Sequence, residues 1–354
     1  MQALVTGSTG FLGRHLVRAL GAEGHAVRAL VRDGRAFAHE GGGNGARDGD
    51  GPEVVRGDVL EPESLAAACR GVDVVFHAAG KVSHRGEATG LFDLHVGGTR
   101  NVLAAARAAG VRRVVHVSTS GTVAVSRDER VFGDDDPWAT EVVRRWPYYL
   151  SKLYAEKVAL EAAAAGDLEV VVVSPTLLLG PGDDALGSSR VLLRFLRREV
   201  VAVPPGGLSL VDVRDAAQAT AAAATRGRSG QRYLLGGHNM TVEAFLVLAE
   251  KVTGIPAPVV RAGPRLTELT AQALDALEGA TGDEGDEAAA YDMACHFWYV
   301  DAARARRELG LTPRAAEATV RDAVAWLRSR GPIPRAGGLL GSVVGGVRRA
   351  FGRR

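Results

Sequence analysis

Ala3-Leu4-Val5-Thr6-Gly7-Ser8-Thr9-Gly10-Phe11-Leu12-Gly13 is a short apolar run that breaks into a glycine-rich turn. Arg14-His15-Leu16-Val17-Arg18-Ala19-Leu20 follows it with helical periodicity. Read physically, this is a strand, a tight turn and a helix N-terminus. Gly7 permits the turn, Gly10 lets the backbone approach a pyrophosphate, and Gly13 lets the helix pack closely on the sheet. Unpaired N–H groups and the helix dipole favour an anion at that point. Glycines alone also make ordinary turns and caps. Here a second apolar strand, Ala26 to Val31, follows at the distance a dinucleotide-binding unit requires. Gly7, Ser8, Thr9, Gly10, Phe11 and Leu12 are therefore the expected contacts of a bound dinucleotide.

The second strand ends at Val31-Arg32-Asp33, the position that separates NAD from NADP. An acidic residue there would meet the ribose 2′-hydroxyl, whereas an arginine meets a 2′-phosphate. Val31 holds the usual acidic position, and Arg32 follows with Arg35 nearby. A solvated charge pair is the plainer reading; a phosphate clamp by Arg32 and Arg35 is the one adopted, so NADP is expected over NAD. His39 to Gly51 lacks apolar periodicity and reads as a glycine-rich insertion on the adenosine side.

Further along, Val54 to Asp58, Val72 to Phe76, Arg113 to Ser118 and Glu169 to Val173 read as strands, with a helix over about Gly90 to Ala109 stopped by Gly110. Alternation of this kind predicts an α/β, Rossmann-type doubly wound parallel sheet, with ligands outside the carboxyl ends of its strands. Asp58 could accept from an adenine amino group or cap the helix beginning at Pro62. Ala78, Ala79 and Gly80 are small enough for a cofactor to lie against the backbone. Ser118, Thr119 and Ser120 sit at another strand end.

The chemistry-bearing segment is Pro147-Tyr148-Tyr149-Leu150-Ser151-Lys152. Tyr148 and Lys152 are four apart and share one helix face. An ammonium beside a phenol favours the phenolate and lowers its pKa, which makes the tyrosine a usable general acid for a carbonyl oxygen gaining charge. After Pro175 the alternation thins. Helical patterns at Ser189 to Arg198, Val242 to Val252 and Ala315 to Arg328 suggest a smaller C-terminal substrate-binding cap. The expected division is residues 1–175 for the dinucleotide, 176–330 mainly for the cap with some elements returning to the sheet, and a basic tail over 331–354. That tail is either a frayed end or a weak contact with an anionic membrane. Asp283 to Glu287 reads as a solvated acidic loop.

The 354 residues suffice for one large domain or two associated ones, and 46% hydrophobic with 24% charged residues is ordinary globular composition. A formal charge of +2 gives no sign of a nucleic-acid partner. Cys69 and Cys295, the only cysteines, lack metal-ligand spacing and read as inert core thiols in a reducing compartment. No metal is expected. With a strand starting almost at Met1 and no apolar run long enough to span a bilayer, a cytoplasmic location is expected.

With these residues in place, the chain resembles the extended short-chain dehydrogenase/reductase superfamily from Met1 to about Arg328. The motifs are Thr6-Gly7-x-x-Gly10-x-x-Gly13, Gly57-Asp58, His77-Ala78-Ala79, Ser118-Thr119-Ser120, Tyr148-x-x-x-Lys152, Gly180-Pro181-Gly182-Asp183 and Val211-Asp212-Val213-Arg214-Asp215. The run Val27 to Asp33 resembles the dihydroflavonol-reductase branch. Tyr233 to Gly237 and Ala305 to Gly310 are similar to hopanoid-associated epimerase-like and 3β-hydroxysteroid-dehydrogenase-like members. The resemblance implies that Ser120 holds a carbonyl oxygen, Tyr148 delivers a proton, and Lys152 tunes the tyrosine and binds the nicotinamide ribose. It adds Val59, Ser118, Pro175 and Thr176 to the cofactor contacts and is compatible with a homodimer. His95 departs from the pattern, standing where relatives usually carry asparagine before Val96-Gly97-Gly98-Thr99-Arg100-Asn101; a satisfied helix histidine and a proton relay are its two readings.

The function expected is an NADP-dependent reductase or alcohol dehydrogenase acting on a lipid-like, sterol-like or polycyclic small molecule. Trp138, Trp146, Leu177 to Leu179, Phe195 and Trp298 are the apolar surface proposed for that substrate. An NAD-dependent nucleotide-sugar epimerase or dehydratase is the alternative, and a non-catalytic dinucleotide sensor a third reading.

Overall fold

Valine-rich runs buried on both faces make parallel strands, and this chain supplies several. The computed structural model describes residues 1–32, 51–82, 88–200, 202–258, 260 and 287–334. Strands β1 (Gln2–Thr6), β2 (Ala26–Val31), β3 (Glu53–Arg56), β4 (Val74–His77) and β5 (Arg113–Val117) come first. They are followed by β6 (Val131–Phe132), β7 (Glu169–Pro175), β8 (Leu177–Leu179), β9 (Gly207–Asp212), β10 (Arg232–Leu235), β11 (His238–Thr241) and β12 (Tyr299–Val300). Seven of them form one parallel sheet in the order β10-β7-β5-β4-β1-β2-β3. The order reverses between β1 and β4, the crevice where doubly wound sheets bind ligands.

Helix α1 (Phe11–Ala22) buries Leu12, Gly13, Leu16, Val17 and Leu20 on one side of the sheet. α2 (Pro62–Ala68) packs on the other side, together with residues of α4 (Gly98–Ala108) and α6 (Pro147–Ala164). Between them in sequence lie α3 (Ala88–Phe92) and the short α5 (Thr140–Val143). The single helix expected over Gly90 to Ala109 is interrupted: a π-helical turn, Asp93–Gly97, separates α3 from α4. The Thr99 hydroxyl donates to the His95 carbonyl at 2.5 Å inside this break. Gly110, at φ +70°, ends α4 as expected.

The second half is divided between two cores. α7 (Arg190–Arg197), α9 (Val242–Thr253) and the helix Ala316–Ser329 cover the three-stranded sheet β11-β9-β8. Leu192, Phe195, Leu210, Phe245 and Val320 share this separate core. α8 (Val213–Arg226) instead buries its alanine face against the α1 side of the large sheet, while β10 extends that sheet beyond β7. β12 pairs in parallel with β6 and sews the C-terminal segment to the loop after β5. Arg35, residues 39–50, the acidic stretch 283–286 and the tail from 335 lie outside the described residues.

Candidate active site

The glycine turn is built by close approach. Gly7 has φ +66°, and a Cβ there would stand 2.5 Å from the Ala78 carbonyl oxygen and 2.6 Å from Ala79 N. A Cβ on Gly13 would meet the Gly7 carbonyl oxygen at 2.0 Å, so α1 and the turn lie backbone to backbone. Gly10 caps α1 without a side-chain hydrogen bond, and the first turn carries no acid. Its leading N–H groups thus face the switch point unneutralised, a donor set that fits a pyrophosphate. Ser8 and Leu12 have no free side chain to offer a ligand: the Ser8 hydroxyl donates to the Leu30 carbonyl at 3.0 Å, and Leu12 is buried in the core. Thr9 and Phe11 stay part-exposed at the rim.

Arg32, at the end of β2, is exposed and makes no ion pair among the described residues. Asp58 does not cap α2. That position falls to Glu61, while Asp58 Oδ1 accepts from Leu60 N at 2.9 Å and closes the turn ahead of the helix. Val59 is buried, with its carbonyl accepting from Asn101 Nδ2 at 3.0 Å. At the end of β4, Ala78 and Ala79 are half-buried and Gly80 exposed. Pro175 ends β7 within the sheet, and the adjoining Thr176 bonds its backbone N–H to the Leu235 carbonyl at 3.1 Å.

Past β5 the chain makes a tight 3₁₀ turn, Ser120–Thr122, with Thr119 accepting from Gly121 N. Ser120 is buried at its start. α6 opens with Pro147, whose missing N–H costs nothing in the first turn. Tyr148, Lys152 and Glu156 then stand four residues apart along one face. Glu156 is fully buried and accepts from Ser118 Oγ, Arg232 Nε and, at 2.8 Å, Thr122 Oγ1. The Ser118 side chain is therefore turned to Glu156 rather than outward to a cofactor. Arg232, on β10, also donates to the Asp134 carbonyl at 2.7 Å and lies over the Trp138 ring at 4.4 Å. One carboxylate thus clamps the Ser118–Thr122 loop onto α6.

Lys152 is buried, and its Nζ donates to the Val117 carbonyl at 2.7 Å. Burial brings its pKa down to about 8, with the Glu156 charge pulling the other way. Tyr148 packs against Tyr149 with ring centroids 5.0 Å apart, and loss of solvent pushes its pKa up to about 12. The lowered phenol pKa expected from the Tyr148/Lys152 spacing is not found. The ammonium is held on a backbone carbonyl and desolvation decides the phenol, which stays protonated at neutral pH.

A buried polar chain runs beneath these groups. Ala79 N donates to Thr6 Oγ1 at 3.2 Å, Thr6 Oγ1 meets His77 Nδ1 at 2.9 Å, and His77 Nε2 meets Thr99 Oγ1 at 3.0 Å. Since the Thr99 proton goes to the His95 carbonyl, Thr99 accepts from His77 Nε2–H and Thr6 donates to Nδ1. His95 is satisfied at both nitrogens, which favours the helix-histidine reading over a relay. Burial lowers both His77 and His95 to about 3, so they are neutral.

Of the apolar residues expected to face a substrate, Trp146, Leu179 and Phe195 are buried structural residues. Trp138, Leu177, Leu178 and Trp298 remain part-exposed. The rings nearest Gly121 are Tyr149 and Trp298, tilted by 34° with centroids 4.9 Å apart, and a Cβ on Gly121 would stand 2.3 Å from the Tyr149 ring. Cys69 is buried, its thiol pushed up to about 11. Half-buried Cys295 is no deep-core thiol; its Sγ donates to the Tyr291 carbonyl at 3.1 Å. Among the described residues no His/Cys/Asp/Glu group could hold a metal, and no helix is long and apolar enough to cross a membrane.

Sequence reasoning gave no role to Glu156, Arg232 or Thr122, and quoted His77 only as part of the His77-Ala78-Ala79 motif. Of the first three, Glu156 left a readable sign, being the next residue on the face already marked by Tyr148 and Lys152.

Sheet, turn and tyrosine helix together define a dinucleotide-dependent Rossmann enzyme. Residues 3–236 match the profile of the NAD dependent epimerase/dehydratase family. Sterol demethylase protein B of Methylococcus capsulatus is 36% identical over 341 residues, spanning 94% of this chain and 100% of that protein. A protein of Synechocystis sp., named provisionally as a dihydroflavonol 4-reductase, is 32% identical over 93% of this chain and 95% of its own length. The crystal structure of gox2253 superposes with a TM-score of 0.79 at 28% identity, covering 93% of this chain and 98% of that one. The chain belongs to the NAD dependent epimerase/dehydratase family and is an NAD(P)-dependent oxidoreductase, as its resemblance to extended short-chain dehydrogenases implied.

Proposed function

We propose that the protein is an NADP-dependent reductase of a carbonyl on a sterol-like or other polycyclic small molecule. The observation that carries the reading is the alignment of Tyr148 and Lys152 on α6, with the Ser120 turn clamped beside them by Glu156. Gly7, Thr9, Gly10 and Phe11, with backbone N–H groups of Ser8 and Leu12, hold the dinucleotide, and Arg32 receives its 2′-phosphate. When bound, the nicotinamide supplies the hydride.

Tyr148 enters the reaction as a neutral phenol, the form that can donate a proton to an oxygen gaining charge. Ser120 donates a hydrogen bond to the same oxygen and orients it. Lys152 places a positive charge behind the phenol, and the Val117 carbonyl keeps that ammonium from swinging out to solvent. The Tyr149 and Trp298 rings, in tilted contact, form an apolar wall beside the Ser120–Gly121 turn. Names of two near-full-length relatives, a sterol demethylase protein and a provisional dihydroflavonol reductase, support a polycyclic substrate.

The family description favours a second reading, an NAD-dependent nucleotide-sugar epimerase or dehydratase. The two separate in one experiment: a screen of steroid and flavonoid ketones and nucleotide sugars with NADPH and NADH, alongside assay of NAD released on denaturing the purified protein. Ketone-dependent oxidation of NADPH is the expected result; retained NAD with nucleotide-sugar turnover selects the alternative. Tyr148→Phe should abolish turnover and leave NADPH affinity nearly unchanged. Undiminished activity in that variant removes Tyr148 from the mechanism.

A further inference from the structure

His95, the residue that departs from the family pattern the sequence resembles, is 2% exposed. The π-helical turn Asp93–Gly97 carries it, and that extra residue in the helical turn aims the imidazole inward between two working segments. Toward one segment, His95 Nε2 lies 3.1 Å from Lys81 N. A backbone N–H can only donate, so Nε2 is the bare nitrogen and the ring proton sits on Nδ1. Toward the other segment, Nδ1–H donates to Ser151 Oγ at 2.8 Å, and Ser151 Oγ donates to the Tyr148 carbonyl at 2.9 Å. The ring edge also meets the Tyr148 ring, centroids 5.8 Å apart at 77°. A Cβ on Gly80 would stand 3.2 Å from Nε2, so the turn after β4 rests directly on this histidine.

We propose that His95 is a positioning residue with two independent ends: Nε2 holds the Gly80–Lys81 turn against which the dinucleotide lies, and Nδ1–H holds Tyr148 through Ser151. The proposal rests on the assignment of Tyr148 and the Ala78–Gly80 turn to the reaction and the cofactor. Neutral imidazole is the only common side chain that offers a fixed donor and a fixed acceptor on opposite sides of one rigid ring. An asparagine in the same place reaches only the nearer partner. Burial keeps the ring uncharged, so both ends persist across the working pH range.

The two ends can be cut one at a time. In His95→Asn the amide nitrogen falls near the place of Nδ1, keeping Ser151 and losing Lys81. In His95→Gln the amide oxygen reaches the place of Nε2, keeping Lys81 and losing Ser151. His95→Leu loses both. Loss of one neutral hydrogen bond corresponds to about three- to tenfold. The expected result is a split: in the Asn variant the loss falls on the NADPH dissociation constant, read by fluorescence titration, and in the Gln variant on kcat. Amide hydrogen exchange at Lys81 should accelerate in the Asn and Leu variants and stay protected in the Gln variant. Equal effects of Asn and Gln on both quantities, or unchanged Lys81 exchange in all three variants, overturns the proposal. If wild type neither binds a nicotinamide cofactor nor reduces a ketone while the exchange pattern holds, the functional reading fails and the two-ended support stands.

Discussion

Lys152→Met should make the protein more stable at neutral pH and catalytically dead. Lys152 is buried and titrates near pH 8 instead of the ordinary 10.5. Each unit is about 1.4 kcal/mol, so holding the ammonium in place costs the folded state about 3 kcal/mol relative to solvent. Methionine fills nearly the same volume without a charge. The variant also forfeits the hydrogen bond to the Val117 carbonyl, about 1 kcal/mol, leaving a net gain of about 2 kcal/mol. In a chain of this length that corresponds to a rise in Tm of a few degrees at most.

The sign with pH is the sharper test. Because the folded state binds the Lys152 proton more weakly than the unfolded state, wild type gains stability as pH rises from about 8 to 10.5. That gain is complete above 10.5 and is lost again as pH falls through 8. Lys152→Met has no such gain, so the order of stabilities should reverse: the variant is the more stable at pH 7 and wild type at pH 10.5. Other groups titrate in this window, but they are common to both proteins and cancel in the difference. Urea unfolding of the two ligand-free proteins at half-unit steps from pH 7 to 10.5 measures it. Parallel stability curves would mean that Lys152 is not held under a desolvation penalty, and the explanation of its position would be wrong.

Three further outcomes are expected. Gly7→Ala combines a φ of +66° with a Cβ 2.5 Å from the immovable Ala78 carbonyl, so NADPH binding by fluorescence titration should be lost, and an unchanged dissociation constant would exclude the turn from cofactor binding. Arg32→Ala should weaken NADPH by about ten- to a hundredfold at fixed low salt and leave NADH unmoved, since a charge-assisted contact is worth about 1.5–3 kcal/mol; an unchanged NADPH-to-NADH ratio makes Arg32 a solvated charge. Arg232→Met strands the buried Glu156 carboxylate and should destabilise by about 3–5 kcal/mol in urea, with the Glu156→Gln/Arg232→Met double variant recovering part of the loss; additive single effects would argue against the pair.

What the sequence disclosed is what short spacing encodes. The Gly7–Gly13 turn and the Tyr148/Lys152 face are local patterns, and each landed where the sheet order and α6 require it. β4, β5 and β7 were legible because Val-Val runs buried on both faces leave few alternatives. β1, β2 and β3 were legible because short apolar runs flank the glycine turn and its helix at dinucleotide-unit spacing, even though β3 stays largely exposed at the sheet edge. β10 was not read as a strand: it is four residues long and opens with an arginine, acceptable when buried because Glu156, 76 residues away, and the Asp134 carbonyl receive it. α8 was missed for another reason. Its alanines carry little apolar periodicity, and their burial is decided by the close approach of α1 rather than by their own pattern. The π-helical turn at Asp93–Gly97 has no compositional mark beyond Gly97 and Gly98.

The mistaken inference about Tyr148 has the same root. Helical spacing correctly put an ammonium and a phenol on one face, but spacing says nothing of which partner the ammonium takes. Lys152 takes the Val117 carbonyl and the phenol keeps its proton, so the acid that the proposed reduction needs is present from the outset. The group that organises this arrangement is Glu156. It binds the two hydroxyls that flank Ser120, pairs with Arg232 on the last strand of the sheet, and offsets part of the burial penalty on Lys152. Placing that carboxylate one turn beyond the lysine lets a single helix carry the acid, the cation and the anchor for the loop opposite. The Ser120 turn and α6 are both tied to β10 through Glu156 and Arg232, so a substitution that loosens β10 should reach the proposed reaction site without touching it.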